Sequence, residues 1–276
     1  MQALADGWRA EGLSVGLVPT MGALHAGHES LVAASRAQDD RTVVSIFVNP
    51  LQFGPNEDFA RYPRRMDADL ALLADHEVHA VYAPGVEQMY QPGAATRVVV
   101  VAAELAQTLE AAHRPGHFEG VATVVTKLFI ACRPHRAYFG QKDAQQVAVV
   151  RRLAADLDTG VEIVVGPTVR EADGLAISSR NVYLDPAGRR AATLLYRALA
   201  AAELAYERGA RDAGALAQEM REVLDREPLV QPDYAEIVTA DTFSADAREP
   251  LLAVLAVRIG GTRLIDNHVL GTPLQT

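Results

Sequence analysis

Residues 15–28 read VGLVPTMGALHAGH, an apolar run that breaks into a histidine-bearing turn. The run is read as a strand over 12–19, and a helix is expected from His28 to about residue 38. Between them stands His25-Ala26-Gly27-His28, an H-x-G-H step at a strand-to-helix turn. A glycine there lets the backbone approach an anion, and imidazoles three residues apart lie near one face of a first helical turn. Helix N-termini attract anions through unsatisfied N–H groups and the helix dipole. The pattern suits the polyphosphate of a nucleotide, above all a departing pyrophosphate. Alone, a four-residue pattern is weak, so its surroundings must carry the reading.

Outward from this turn, strand-like and helical segments alternate. Residues 42–48 form a β-branched run ending at Asn49-Pro50, 67–76 have helical spacing, and 78–83 read as a strand. A short strand is expected at 97–101, a helix at 120–132, a strand at 136–139, a helix at 144–157 and a strand at 161–165. Alternation of this kind predicts a parallel sheet with helices on both faces, binding its ligands at the carboxyl ends of the strands. Residues 19–28, 49–53 and 140–143 lie at such ends.

The pattern changes after Pro167. Asp185-Pro186 is a helix start, and that helix is expected to run to about Arg208 and stop at Gly209. A second helix is expected at 213–227, then strands at 234–239, 251–259 and 262–265, with Gly260-Gly261 as a turn. Two domains follow: an α/β domain over 1–167 and a smaller α+β domain over 168–276.

Composition narrows the function classes. The 276 residues are 49% hydrophobic, enough for a real core, and no apolar run is long and charge-free enough to cross a bilayer. The N-terminus lacks the basic start and apolar stretch of a secretion signal and reads as the tail of a helix, as though upstream residues were absent or short. One cysteine, Cys132, excludes an internal disulfide and a cysteine-cluster zinc site, so a cytoplasmic protein is the expectation. The net charge of −9 disfavours an extended nucleic-acid footprint.

Other clusters carry chemistry with less force. In Gly140-Gln141-Lys142-Asp143, Asp143 can cap the next helix with Gln146 completing a capping box. Lys142 then faces the unfavourable end of the dipole, a conflict that an anionic ligand relieves; a solvated lysine is the alternative. Asp173-Gly174 opens a turn leading to Ser178, Ser179, Arg180 and Asn181, donors suited to polyphosphate but also common in loops. Asn49 and Gln52 put two amides at a strand end among aromatics, able to hold a small polar substrate. Asp67 and Asp69 favour a helix start by their charge, and either can reach a Mg²⁺ carried by a nucleotide. The loop 114–120 serves equally well as a lid or a connector.

Taken in order, VPTMGALHAGH (18–28), FVNPLQF (47–53), GHFEGVATVV (116–125), YFGQKDAQQ (138–146), READGLAISSRN (170–181) and TRLIDN (262–267) resemble the pantothenate synthetases, the pantoate–β-alanine ligases. The resemblance spans nearly the whole chain. It implies a Rossmann-like nucleotidyltransferase-type domain, a smaller C-terminal domain that closes over it, and a homodimer. It implies ligation of pantoate to β-alanine with ATP split to AMP and pyrophosphate, and with Mg²⁺. It sets ATP against Met21, Gly22, Ala23, Leu24, His25, Ala26, Gly27, His28, Gly140, Gln141, Lys142, Asp143, Val169, Ile177, Ser178, Ser179 and Arg180. It sets pantoate on Gln52 and Gln146, with Gln52 also near β-alanine, adds Asn49 to the substrate set and Asp69 as a Mg²⁺ neighbour. His28 is the proton donor it suggests; His25, Lys142, Ser178, Ser179 and Arg180 complete the catalytic set. A nucleotidyltransferase, whose product keeps the nucleotide, and a non-catalytic nucleotide-binding protein are the competing readings. Family members commonly carry Glu at the position of Ala26 and an aromatic at that of Ala144.

Overall fold

The run after Ser14 forms strand β1, Val15–Thr20, buried along almost its whole length. Burial on both faces is what a continuous apolar strand inside a parallel sheet requires. β2 (Arg41–Ile46), β3 (Ala80–Tyr82), β4 (Arg136–Gly140) and β5 (Glu162–Gly166) join it in the order β3-β2-β1-β4-β5, with every pairing parallel. The chain runs outward from β1 to β3, then returns to lay β4 on the other side of β1. That reversal creates a crevice at the carboxyl ends of β1 and β4. This computed structural model describes every residue except 56, 92–95 and 275–276.

Helices Ala26–Gln38, Met66–Asp75, His117–Cys132 and Ala144–Asp156 connect these strands. The helix at His117–Cys132 buries Val121, Ala122, Val124, Val125, Leu128 and Phe129, so it is apolar around most of its circumference. Cys132 is fully buried among them, and burial raises its thiol to about 12, which makes it an inert core residue.

Several expectations are corrected. No strand forms at 97–101. The Val98 N–H donates to Thr123 Oγ1 at 3.0 Å, and that hydroxyl donates back to the Val98 carbonyl at 3.4 Å. A threonine side chain thus takes the place of a neighbouring strand, leaving Val99 and Val101 exposed. The expected capping box at Asp143 and Gln146 is absent too. A 3-10 turn, Gln141–Asp143, runs straight into the next helix, so Asp143 never adopts the extended N-cap geometry and instead lies 3.8 Å from Lys142. The helix expected to run from Pro186 is two helices, Pro186–Ala191 and Thr193–Glu207, meeting at Ala192.

The chain divides into two units: Met1–Gly140 with Gln145–Gly166, and Pro167–Thr276 with Gln141–Ala144. A single cut near Pro167 therefore misses one segment, and the cause is local. Asn267 Nδ2 donates to the carbonyls of Gln141 and Lys142, both at 2.9 Å, while Gln141 Nε2 donates to Asn267 Oδ1 at 2.9 Å. In the second unit β6 (Val230–Thr239), β7 (Leu251–Ile259) and β8 (Thr262–Val269) form an antiparallel sheet in that order. Its core joins Leu195, Leu199, Leu216, Met220 and Leu224 of the helices to Leu251, Leu255 and Val257 of β7.

Candidate active site

At the carboxyl end of β1 the helix starts two residues before the expected point, at Ala26, so His25 is its N-cap with extended backbone. The His25 carbonyl accepts the N–H groups of His28 (2.7 Å) and Glu29 (3.1 Å). His28 therefore sits in the first turn, and its ring lies 4.1 Å, centroid to centroid, from that of His25, tilted by 35°. Gly27 makes this possible. A Cβ there would come within 3.1 Å of the His25 ring, so the small residue makes room for an imidazole as well as for an anion. The result is a paired-imidazole face on a helix N-terminus, where the dipole already favours negative charge.

The turn before it is tied down. The Thr20 hydroxyl donates to the Ser45 carbonyl at 2.7 Å and accepts from the Gly22 N–H at 3.2 Å. The Asp69 carboxylate accepts the N–H of Ala23 at 2.9 Å on one oxygen and that of Leu24 at 2.8 Å on the other. Met21 and Leu24 are half-buried beside it, while Ala26 faces solvent.

At the end of β2, Asn49 caps the 3-10 turn Pro50–Gln52. Its Oδ1 accepts from the Leu51 N–H at 3.2 Å and the Tyr90 hydroxyl at 2.8 Å. Its Nδ2 donates to the Gly120 carbonyl at 3.1 Å and to Gln52 Oε1 at 2.8 Å. This fixes both amides by chemistry. A peptide N–H can only donate, so the atom it meets is Asn49 oxygen; a carbonyl can only accept, so the atom it meets is Asn49 nitrogen. Asn49 nitrogen must then face the oxygen of Gln52, and Gln52 turns its Nε2 donor away from Asn49. All hydrogen-bonding groups of the Asn49 side chain are occupied within the protein, so it orients Gln52. Gln52 is left with a donor for an acceptor group on a ligand.

The same turn is held from the 114–120 loop, which is a clamp. Arg114 pairs with Glu57 at 2.7 Å and donates to the Gln52 carbonyl at 3.2 Å. His117 Nδ1 lies 2.9 Å from that carbonyl, and its Nε2 lies 3.0 Å from Arg114. The carbonyl demands a donor at Nδ1 and the guanidinium an acceptor at Nε2, so His117 is the neutral Nδ1–H tautomer. Its environment agrees: burial first, and the Arg114 charge second, lower its pKa to about 4. Phe53 packs edge-on against Phe59 and Tyr62, at 5.3 and 5.7 Å.

Past β4, Gly140 ends the strand; Gln141 and Lys142 have their carbonyls held by Asn267. Gln146 is half-buried in the helix that follows, while its neighbour Gln145 is buried and binds the Glu110 N–H and the carbonyls of Leu105 and Thr108. In the second unit, the Ile177 N–H donates to the Val169 carbonyl at 3.0 Å, making a hairpin of 169–177. Arg170 clasps it by donating to the Gly174 carbonyl at 3.0 Å and to both oxygens of Asp266, at 2.6 and 3.0 Å. Ser178 caps the 3-10 turn Ser179–Tyr183, its hydroxyl accepting the Arg180 N–H at 3.3 Å. The supports Gly120, Tyr90, Gln145, Asp266 and Asn267 had no local signal, because each acts on residues far away in sequence.

Among the described residues no three His, Cys, Asp or Glu side chains form a group able to hold a metal. Nor, among those residues, is any helix long and apolar enough to cross a membrane.

The parallel sheet and the histidine-bearing turn after its first strand define an α/β protein of the H-x-G-H nucleotidyltransferase type, extended by a small α+β unit. The model of the family described as pantoate-beta-alanine ligase matches residues 1–269. A pantothenate synthetase from Roseiflexus castenholzii is 57% identical over 93% of this chain and 92% of its own length. One from Rubrobacter xylanophilus is 52% identical over 98% and 96%. The crystal structure of pantothenate synthetase from Thermus thermophilus superposes with a TM-score of 0.90 at 48% identity, covering 96% of this chain and 97% of that one. A pantoate-beta-alanine ligase from Francisella tularensis, complexed with beta-gamma ATP and beta-alanine, gives 0.78 at 33% identity over 96% and 93%. This chain belongs to the pantoate–β-alanine ligase family.

Proposed function

We propose that the chain joins pantoate to β-alanine through a pantoyl adenylate, with its residues in the following roles. The pantoate carboxylate attacks the α-phosphorus of ATP, the bond to the β-phosphate breaks, and pyrophosphate leaves. The amine of β-alanine then attacks the acyl carbon and expels AMP. No covalent bond to the protein forms.

The observation that carries this reading is the stacked His25–His28 pair on a helix N-terminus at the carboxyl end of β1. Charge moves onto the pyrophosphate as the bond breaks, and fixed donors aimed there are the main source of rate in such chemistry. His25 and His28 supply them, joined by Lys142, Ser178, Ser179 and Arg180. Residues 21–28 and 140–143, with Val169 and Ile177, hold the nucleotide. Gln52 donates from Nε2 to an oxygen of pantoate, Gln146 supplies a second amide, and Asn49 acts through Gln52. When bound, Mg²⁺ neutralises part of the triphosphate charge. We place the enzyme in the cytoplasm as a homodimer; the exposed Val99 and Val101 supply apolar surface for a second copy.

Isotope exchange tests the reading. Pyrophosphate should exchange into ATP only when pantoate is present, and β-alanine should then release AMP stoichiometrically. Exchange driven by another acid but not by pantoate would overturn the substrate assignment.

A further inference from the structure

The turn that delivers the two histidines is held from another helix. Asp69 lies in the first turn of Met66–Asp75, where an acid needs no further explanation, since it favours the helix dipole. Its carboxylate nevertheless turns outward, to the N–H groups of Ala23 and Leu24 at 2.9 and 2.8 Å. The residue is only 4% exposed. Two successive N–H groups converging on one anion make a nest, and here the anion is a side chain of the protein itself. Ala23 has φ +52°, the left-handed region that an L-residue with a Cβ avoids. The two bonds to Asp69 hold it there. One residue beyond Leu24, His25 caps the helix with its ring over His28.

We propose that Asp69 is a positioning residue for adenylation. It holds residues 22–24 in the conformation that sets His25 and His28, and its carboxylate serves the protein backbone rather than a metal. The inference rests on the reading that these histidines face the phosphates of ATP. It has a consequence for the nucleotide: the N–H groups of Ala23 and Leu24 are already taken. Phosphate must therefore be met by the imidazoles and by the N–H groups of Ala26 and Gly27.

The test uses full-length Asp69→Asn, Asp69→Ala and the double variant Asp69→Ala/Ala23→Gly. Hydrogen exchange of the Ala23 and Leu24 amides is read alongside kcat, the KM for ATP and the Mg²⁺ concentration for half-activation. Asp69→Asn keeps the shape if Asp69→Ala folds poorly. Both single variants should lose protection at these two amides. Both should lower kcat/KM for ATP about 100-fold, the scale of an ångström's misplacement, with the Mg²⁺ requirement unchanged. Glycine tolerates the left-handed region, so Ala23→Gly should recover about 5-fold of the loss. A raised Mg²⁺ requirement with protection intact would make Asp69 a metal ligand and overturn the proposal. So would a double variant no better than Asp69→Ala. Loss of protection with adenylation unimpaired would overturn the positioning role as well, and would also count against the role given to the histidines.

Discussion

Replacing Gly120 by alanine tests how the substrate segment is held. Alanine in a helix interior normally stabilises by up to about 1 kcal/mol over glycine. At Gly120 the sign should reverse. A Cβ there would lie 2.3 Å from the Leu51 carbonyl oxygen, 2.5 Å from its carbon and 2.8 Å from the Gln52 nitrogen. Ordinary contact begins near 3.4 Å, and all three atoms are backbone, so the turn Pro50–Gln52 must retreat by about 1 Å. Overpacking on this scale costs about 1–3 kcal/mol, leaving a net loss of up to about 2 kcal/mol after the helix gain. The retreat also draws Gln52 from its place, since Asn49 bonds both Gln52 and the Gly120 carbonyl. An ångström of misplacement can lower rate by about 100-fold, and here it should fall on pantoate, with the KM for ATP little changed. Urea unfolding and steady-state kinetics read both effects. Gly7→Ala, with nothing within 4 Å of its Cβ, is the control and should be neutral or mildly stabilising. A Gly120→Ala enzyme as stable as Gly7→Ala, with normal pantoate KM, would refute the close-approach argument.

Asn49→Asp removes both donors that hold Gln52 Oε1 and the Gly120 carbonyl, leaving buried acceptors opposed. The KM for pantoate should rise about 10–100-fold, and steady-state kinetics at saturating ATP would show it. His117 has a folded pKa of about 4, below its usual 6.5, so the unfolded chain binds more protons between those values. Its contribution, on the order of 3 kcal/mol, is complete above pH 6.5 and lost as pH falls toward 4. Urea unfolding of wild type should show a pH-dependent loss over that window that His117→Asn reduces. Breaking the buried pair of Arg170 and Asp266, whose side chains are 3% and 0% exposed, by Asp266→Ala should cost about 3–5 kcal/mol in urea unfolding. Arg170→Met with Asp266→Leu should cost less, because no charge is left stranded.

The sequence makes the sheet legible because its strands are apolar on both faces and separated by helices of ordinary length. The H-x-G-H step is legible because His25, Gly27 and His28 are neighbours in sequence, although Asp69 holds the turn before it from another helix. Sequence and structure part where distant residues decide. The valine run at 97–101 has strand composition, yet a threonine of another helix satisfies its peptide. Asp143 has the spacing of a cap, but a 3-10 turn removes the extended geometry a cap needs. Asn49 reads as a substrate amide until Tyr90 and Gly120, 41 and 71 residues away, are seen to occupy it. Asp69 suits a metal on sequence alone because its partners, 45 and 46 residues upstream, are backbone N–H groups without a sequence signature.

The role proposed for the paired imidazoles and Lys142, stabilising charge during adenylation, comes before β-alanine takes part. A single-turnover mixture of enzyme, Mg²⁺-ATP and pantoate without β-alanine tests it directly. Wild type should release one pyrophosphate per active site and retain pantoyl adenylate. His28→Ala and Lys142→Ala should each slow that burst by at least about 100-fold, the loss of one transition-state donor. A burst of normal rate in either variant would contradict the claim.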